Sequence, residues 1–331
     1  MLMNSASPFG PQDDEFHADQ MSDRWWETET AWFSFCVPER RLGGWLYTLI
    51  RPNIGTVAGG AWVWDDSAHL PWEVLYSANY SAQRLRVGTD LRDCVLPNGV
   101  GIKVREPLTS YDLSYQDGER IDIKLTFDAV MPPRALRSKS SVFGSLHHFD
   151  QFGRVRGRLI LQGEHIPIDC LGMRDRSWGP RPEHRPKQSA YVTGIASPEH
   201  AFLAVTSADG KNETISYGFL TRNGITRDLV SGTRKTRRHR EGGWATEIQI
   251  DAVDEDGRVL RAVGRRLSGM IINRHTFIDS NGLFEWNMDG ETGHGEDQDL
   301  WIVHRWADDR RKARGGMQLT GRGEHSDDQI D

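Results

Sequence analysis

Cysteine is scarce in this 331-residue chain: Cys36, Cys94 and Cys170 are an odd number, far apart and in no ligand-like spacing. That argues against a disulfide framework and a zinc site, and leaves small buried apolar residues as the expectation. No apolar run approaches the roughly 18 residues that span a bilayer, and Met1–Pro8 lacks the basic and apolar regions of a secretory signal. The expected location is therefore the cytoplasm, without stable membrane insertion. Charge of one sign is also lacking. The net charge is −6 with pI near 6.1, and acids and bases are mixed along most of the chain, so there is no footprint for nucleic acid. Gly-x-Ser-x-Gly, a phosphate loop and a dinucleotide fingerprint are all missing, which leaves hydrolase, kinase and dehydrogenase readings without a warrant.

Long amphipathic helices, βαβ alternation and repeats of 20 to 50 residues are missing too, so doubly wound and solenoid folds are disfavoured. What is present is a meander. Short apolar, β-branched or aromatic runs are separated by Asp117-Gly118, Gly163-Glu164, Asp209-Gly210, Asn223-Gly224, Asp256-Gly257 and Asn281-Gly282. Ile121, Ile123, Leu125 and Phe127 alternate with Asp122, Lys124 and Thr126, which gives one face to a core. The expected fold is all-β, two antiparallel barrels or sandwiches in tandem. Polar residues 1–22 read as a mobile lead-in and 308–331 as a disordered tail; the domains are expected at 23–172 and 173–307. The Pro- and charge-rich stretch 179–187 reads as a connection. An exposed barrel edge could pair with a second copy, giving a homodimer.

Tryptophan is abundant, 12 in all, clustered at residues 25–72 and again from 178 onward. The cluster either packs wide cores or lines a site for an apolar or cationic ligand.

Concentrated chemistry lies in Leu146-His-His-Phe-Asp-Gln151 and Gly172-Met-Arg-Asp-Arg-Ser-Trp-Gly-Pro-Arg181, joined by one hairpin. On a strand, residues i and i+2 share a face, so His148 and Asp150 can point together, as can Met173, Asp175 and Ser177. Arg174 and Arg176 flank Asp175. If they share its environment they lower its pKa and make an ion pair; if they face away into another layer, desolvation raises it and makes a general acid. His148 is either a satisfied core histidine or part of the site. His147 and His148 as metal ligands lack a recognisable third partner, and no metal or cofactor is expected. Arg234–Arg240 is a basic run that reads as a solvated strand or loop, and Glu296 and Asp297 could face the same cleft, although a charged loop is the simpler reading.

His148-Phe-Asp-Gln151 and Arg174-Asp-Arg-Ser-Trp-Gly-Pro-Arg181 together resemble the paired signature of the AttH and carotenoid 1,2-hydratase-like superfamily. Glu29–Phe35, Arg51–Asn53, Trp62–Trp64 and Gly295–Trp301 also look like its bacterial members, so the likeness covers roughly residues 25 to 306. The resemblance implies tandem lipocalin-like (calycin-like) β-barrels and an apolar pocket between them. In the superfamily's hydratases an aspartate protonates a carbon–carbon double bond and water captures the cation, with a tyrosine two residues before the acid and a histidine upstream. Carried over, the acid is Asp175, the histidine His148 or His147, and the tyrosine position holds Met173. Asp150 is a rival for the acid. Trp178 is the candidate face for a developing cation, with plugging a barrel end as its alternative; Gln151 and Arg181 are assigned to orienting Asp150 and Asp175. His147, Met173, Arg174 and Ser177 complete the expected substrate-binding set. The expected function is a cofactor-independent lyase or isomerase (hydratase, dehydratase or double-bond isomerase) for an apolar terpenoid, steroid-like or aromatic substrate. The alternative is a carrier of lipophilic molecules.

Overall fold

Asp117-Gly118, Asn223-Gly224 and Asp256-Gly257 mark turns that join antiparallel strands, and the turn expected at Gly163-Glu164 lies one residue earlier. Gln162 (φ 51°) and Gly163 (φ 86°) close one hairpin, and Asn223 (φ 52°) with Gly224 (φ 71°) another, the double left-handed turn whose twist matches its strands. The structure, a computed structural model, describes residues 8–135, 147–181, 188–208, 212–274 and 277–315. Asp209-Gly210, Leu146 and residues 182–187 of the expected connection lie outside those residues. Asn281-Gly282 is not a turn: it sits within a strand, and Asp289 (φ 51°) with Gly290 (φ 95°) makes the turn that follows.

The first half is an eleven-stranded antiparallel sheet curled into a half-barrel. Its strands are β1 (Glu27–Val37), β2 (Leu42–Arg51), β3 (Thr56–Trp64), β4 (Tyr76–Arg84), β5 (Asp93–Val95), β6 (Gly101–Glu106), β7 (Ser110–Asp117), β8 (Ile121–Ala129), β9 (Arg134–Ala135), β10 (His147–Leu161) and β11 (Glu164–Pro180). The order is β4-β3-β2-β1-β11-β10-β8-β7-β6-β5, with β9 on β10. The second half is a closed barrel of β12 (Ser189–Ser197), β13 (His200–Ala208), β14 (Glu213–Arg222), β15 (Ile225–Arg238), β16 (Ala245–Asp254), β17 (Val259–Arg274), β18 (Phe277–Met288) and β19 (Glu291–Ile302). The all-β, tandem lipocalin-like expectation holds. No helix among the described residues is long and apolar enough to cross a membrane.

The expected domain boundary at residue 172 falls inside β11. Residues 174–180 remain paired with β1, and the barrel begins at Ser189. Gly179 and Pro180, expected in a connection, are the end of that strand, where Pro180 stands opposite Glu27. The polar ends are also built into the fold. Asp13, Asp14 and His17 of the expected lead-in are buried, and Val303–Ala313 is a helix, α1, that takes in the start of the expected tail. Residues 1–7 and 316–331 lie outside the described residues.

Period two explains the layers. On β1, Ala31, Phe33 and Phe35 enter the half-barrel core, while Trp32 turns outward against the second barrel. There Trp32, Trp45, Trp62 and Trp64 meet Tyr191, Ile195, Tyr217, Met270 and Ile272 in one buried layer. Both halves thus bury an outer face, not only an interior, and the wide aromatic side chains fill the seam.

Candidate functional site

Asp150 and Asp175 are cross-strand partners on β10 and β11, and Trp32 on β1 is opposite Asp175 on its other side. Like charges directly opposite one another destabilise a sheet, so this pair needs compensation. It comes unequally. His148 Nε2 lies 2.8 Å from Asp150 Oδ1, the Tyr191 hydroxyl donates to the same oxygen, and the Tyr217 hydroxyl donates to Oδ2 at 2.6 Å. Asp175 keeps a little exposed surface, but its Oδ1 is buried and has no hydrogen-bond partner among the described residues.

Burial pushes the Asp175 carboxyl up to about 6; the His148 charge opposes this, the Asp150 charge adds to it, and Arg181 and Arg176 pull it back. Burial would lower His148, but the charge and hydrogen bond of Asp150 outweigh it and the imidazole is raised. Burial and the Asp150 carboxylate hold Tyr191 and Tyr217 well above the usual phenol range, so both are donors.

The flanking arginines occupy the other layer. Arg174 passes 4.1 Å over the Tyr111 ring, donates to Gln151 Oε1 at 2.8 Å and pairs with Asp14 at 3.4 Å; Arg176 pairs with Glu29 at 3.0 Å. Of the two environments open to Asp175, the desolvated one is realised. The residues expected around it divide accordingly. His148, Asp150, Met173, Asp175 and Ser177 share one face. Trp178 lies on the opposite face, stacked 3.8 Å from His17 and 5.4 Å from His147, with its Nε1 on Gln20. It plugs the half-barrel and is not the wall facing Asp175; His147 is exposed beside it. Gln151 bonds Arg174 and the carbonyls of Leu108 and Met131, not Asp150. Arg181 holds Ser177 Oγ at 2.6 Å, which in turn bonds Thr30.

Tyr191 and Tyr217 escaped sequence reasoning. They come from β12 and β14 of the second barrel, outside either chemical segment. Tyr191 also touches Met173 Sδ at 3.5 Å, so a tyrosine from across the seam stands over the position where the superfamily pattern places its own. Only the alternation of β12, which turns Tyr191 away from the barrel core that holds Ala190 and Val192, carries a trace of this in the sequence.

His148, Asp150 and Asp175 offer ligand atoms within 4.8 Å of one another, a spacing that suits a cation. Both Asp150 oxygens already accept tyrosine hydroxyls and His148 spends Nε2 on Asp150, so a metal would displace three hydrogen bonds. The arrangement fits proton traffic better.

Glu296 and Asp297 do not share a cleft, since adjacent strand residues point oppositely. Asp297 enters the second barrel and pairs with Arg234 at 2.7 Å. Arg234 is thus an interior residue and not part of a solvated run. Glu296 faces the seam and accepts the Trp45 Nε1 hydrogen bond at 2.6 Å.

Known proteins bear this fold. The chain belongs to the family described as a domain of unknown function, DUF7064, whose model matches residues 10–298. No curated protein matches it. Among solved structures it is similar to a candidate AttH protein from Nitrosomonas europaea, with 15% identity and TM-score 0.61 over 91% of this chain and 99% of that one. It is also similar to CghA bound to Sch210972, with 13% identity and TM-score 0.54 over 83% and 88% of the two chains. Kievitone hydratase from Nectria haematococca matches with 12% identity and TM-score 0.49 over 83% and 89%. At these identities the likeness concerns the fold, and it agrees with the AttH-like resemblance of the two motifs.

Proposed function

We propose that the seam between the two halves is an acid–base active site, cofactor-independent, in which Asp175 exchanges a proton with carbon on an apolar terpenoid, steroid-like or aromatic substrate. The observation that carries this is the asymmetry of the carboxylate pair: Asp150 is fully engaged by three donors, while Asp175 beside it has a buried oxygen without a partner among the described residues. A carboxyl whose pKa lies near 6 is populated in both forms close to neutrality, which is what a group that both gives and takes a proton requires. Asp150, held by His148, Tyr191 and Tyr217, supplies fixed negative charge, and the raised His148 stabilises the ionised pair. Trp32, opposite Asp175 and edge-on to Tyr191 at 6.0 Å, replaces Trp178 as the aromatic neighbour of the reacting centre. Hydration, dehydration and double-bond migration all use this proton step. That CghA has been solved with Sch210972 agrees with a fold that admits small organic molecules.

The test is to incubate an apolar extract of the source cells with the protein and with Asp175→Asn, following products by mass: a gain or loss of water, or an isomer of unchanged mass. Retained binding without conversion in the variant supports the proton role. Retained binding with no conversion by the wild type either points to a lipophilic carrier and sinks the enzyme reading.

A further inference from the structure

Two residues along the strands from the carboxylate pair, the same seam contains a narrow cavity lined by Ser34, Cys36, Gly172, Met173, Thr193 and Glu296, among others. The chain reaches it by an orderly step. Asp175 leads to Met173 on β11, Trp32 to Ser34 on β1, and Tyr191 to Thr193 on β12, each a two-residue advance on one face of a strand. Ser34 stands opposite no charged group: its hydroxyl accepts from Met173 N at 3.1 Å, and Thr193 Oγ1 accepts from Glu296 N at 2.9 Å. One strand repeat is about 6.6 to 6.8 Å, which is the separation along each strand between the positions at the carboxylate pair and those at the cavity.

Glu296 is the carboxyl side chain there, with the Cys36 thiol as the other ionisable group, and it is almost wholly buried. Burial raises its carboxyl well above the usual range; the Trp45 hydrogen bond opposes this, and the neighbouring charge of Asp279 adds to it. The surroundings hold both kinds of polar group: Trp45 gives its N–H to Glu296, and the Asp279 carboxylate and the Asn281 amide lie beside it. The buried N–H groups of Trp32, Trp62 and Trp64, which have no acceptor among the described residues, belong to the aromatic layer of the same seam and not to the cavity lining. A protonated Glu296 carboxyl in this cavity is a buried donor, and a ligand that supplies an oxygen acceptor relieves the cost of burying it.

We propose that Glu296 and its cavity form a carbonyl-recognition subsite, in which the carboxyl donates a hydrogen bond to the oxygen of a ketone or enone whose nearby carbon reacts at Asp175. This rests on the acid–base reading above and narrows its substrate to one with a carbonyl next to, or conjugated with, the reacting carbon. In the step so assisted, the Asp175 carboxylate takes a proton from carbon next to, or conjugated with, the carbonyl. The C–H electron pair becomes a carbon–carbon double bond and the carbonyl π pair moves to oxygen, where the Glu296 hydrogen bond holds the charge. Return of the proton from Asp175 to another carbon completes a double-bond shift with no atom gained or lost. A carboxylic acid kept neutral by an apolar site is a known device for stabilising such an oxyanion.

The test uses the full-length protein with 1-tetralone and tetralin, which differ at the ketone, and measures both affinities by tryptophan quenching. The wild type is expected to prefer the ketone by about tenfold, the size of one hydrogen bond to a buried donor. Glu296→Leu is expected to abolish the preference while leaving tetralin affinity in place. Glu296→Gln, which conserves shape and keeps a weaker donor, is expected to lower the preference several-fold and serves if the leucine variant does not fold. Equal affinities in the wild type, binding of neither probe, or a preference untouched by these substitutions would overturn the subsite. The acid–base reading is separable: deuterium exchange into tetralone that is lost in Asp175→Asn but insensitive to Glu296 would sink the subsite alone.

Discussion

Asp150 and Asp175 stand opposite each other in the β10–β11 ladder, yet among the described residues Asp150 receives three hydrogen bonds and Asp175 Oδ1 none. That inequality makes the two carboxyl groups respond differently to pH and to substitution.

Ionised Asp175 is a burden on the folded state. Its carboxyl titrates near 6 in the protein against 3.8 unperturbed, so the folded state holds the proton more tightly than the unfolded. Stability is therefore unaffected by this group below pH 3.8, declines between 3.8 and 6, and bears the full deficit above 6. Two pKa units correspond to at most about 3 kcal/mol. Asp175→Asn should raise the melting temperature at pH 7.5, and the gain should vanish by pH 3.5. Loss of stability in the variant at pH 7.5 would show that the carboxylate is satisfied.

Tyr191→Phe and Tyr217→Phe each remove a donor from a buried carboxylate, at a cost of about 1.5 to 3 kcal/mol by urea unfolding. Because both serve Asp150, the double variant should depart from the sum of the singles by at least about 0.5 kcal/mol. Strict additivity would mean that they act on separate groups.

The arginines beside Asp175 belong to the structure of the half-barrel. Arg174→Leu strands Asp14 and Gln151 in a buried layer and should cost about 3 to 5 kcal/mol in chemical denaturation. A change under 1 kcal/mol would place that guanidinium in water.

Within the basic run the faces alternate. Arg234 is buried against Glu213 and Asp297, whereas the side chain of Arg237 is 75% exposed. Arg234→Leu should destabilise by about 3 to 5 kcal/mol and Arg237→Leu by less than about 0.5. Similar thermal shifts for the two would contradict this orientation.

Much of the fold was legible because hairpin turns and period-two alternation are local signals. Asn223-Gly224 and the face shared by His148 and Asp150 were both readable in this way. Asn281-Gly282 misled because the same dipeptide can occupy a strand where neighbours crowd close, and the Gly282 position leaves no room beside Phe284 and Arg266. The lead-in misled because Asp13, Asp14 and His17 are polar yet bury as partners of Arg174 and Glu29. For Trp178 a wall facing Asp175 and a plug of a barrel end were both open, and one residue's worth of alternation puts it on the opposite face from Asp175. Tyr191 and Tyr217 were out of reach as site residues, since packing of one half against the other brings them to Asp150 and nothing local encodes that contact; Glu296 was raised together with Asp297, but the strand turns the two to opposite faces.

The most direct measurement is deuterium transfer from D2O to carbon of an apolar ligand extracted from the source cells, compared between the wild type and Asp175→Asn by mass spectrometry. The account predicts incorporation by the wild type and at least about a hundredfold slower incorporation by the variant, the usual weight of a general acid–base group. Equal rates in the two proteins, with the ligand bound by both, would contradict it.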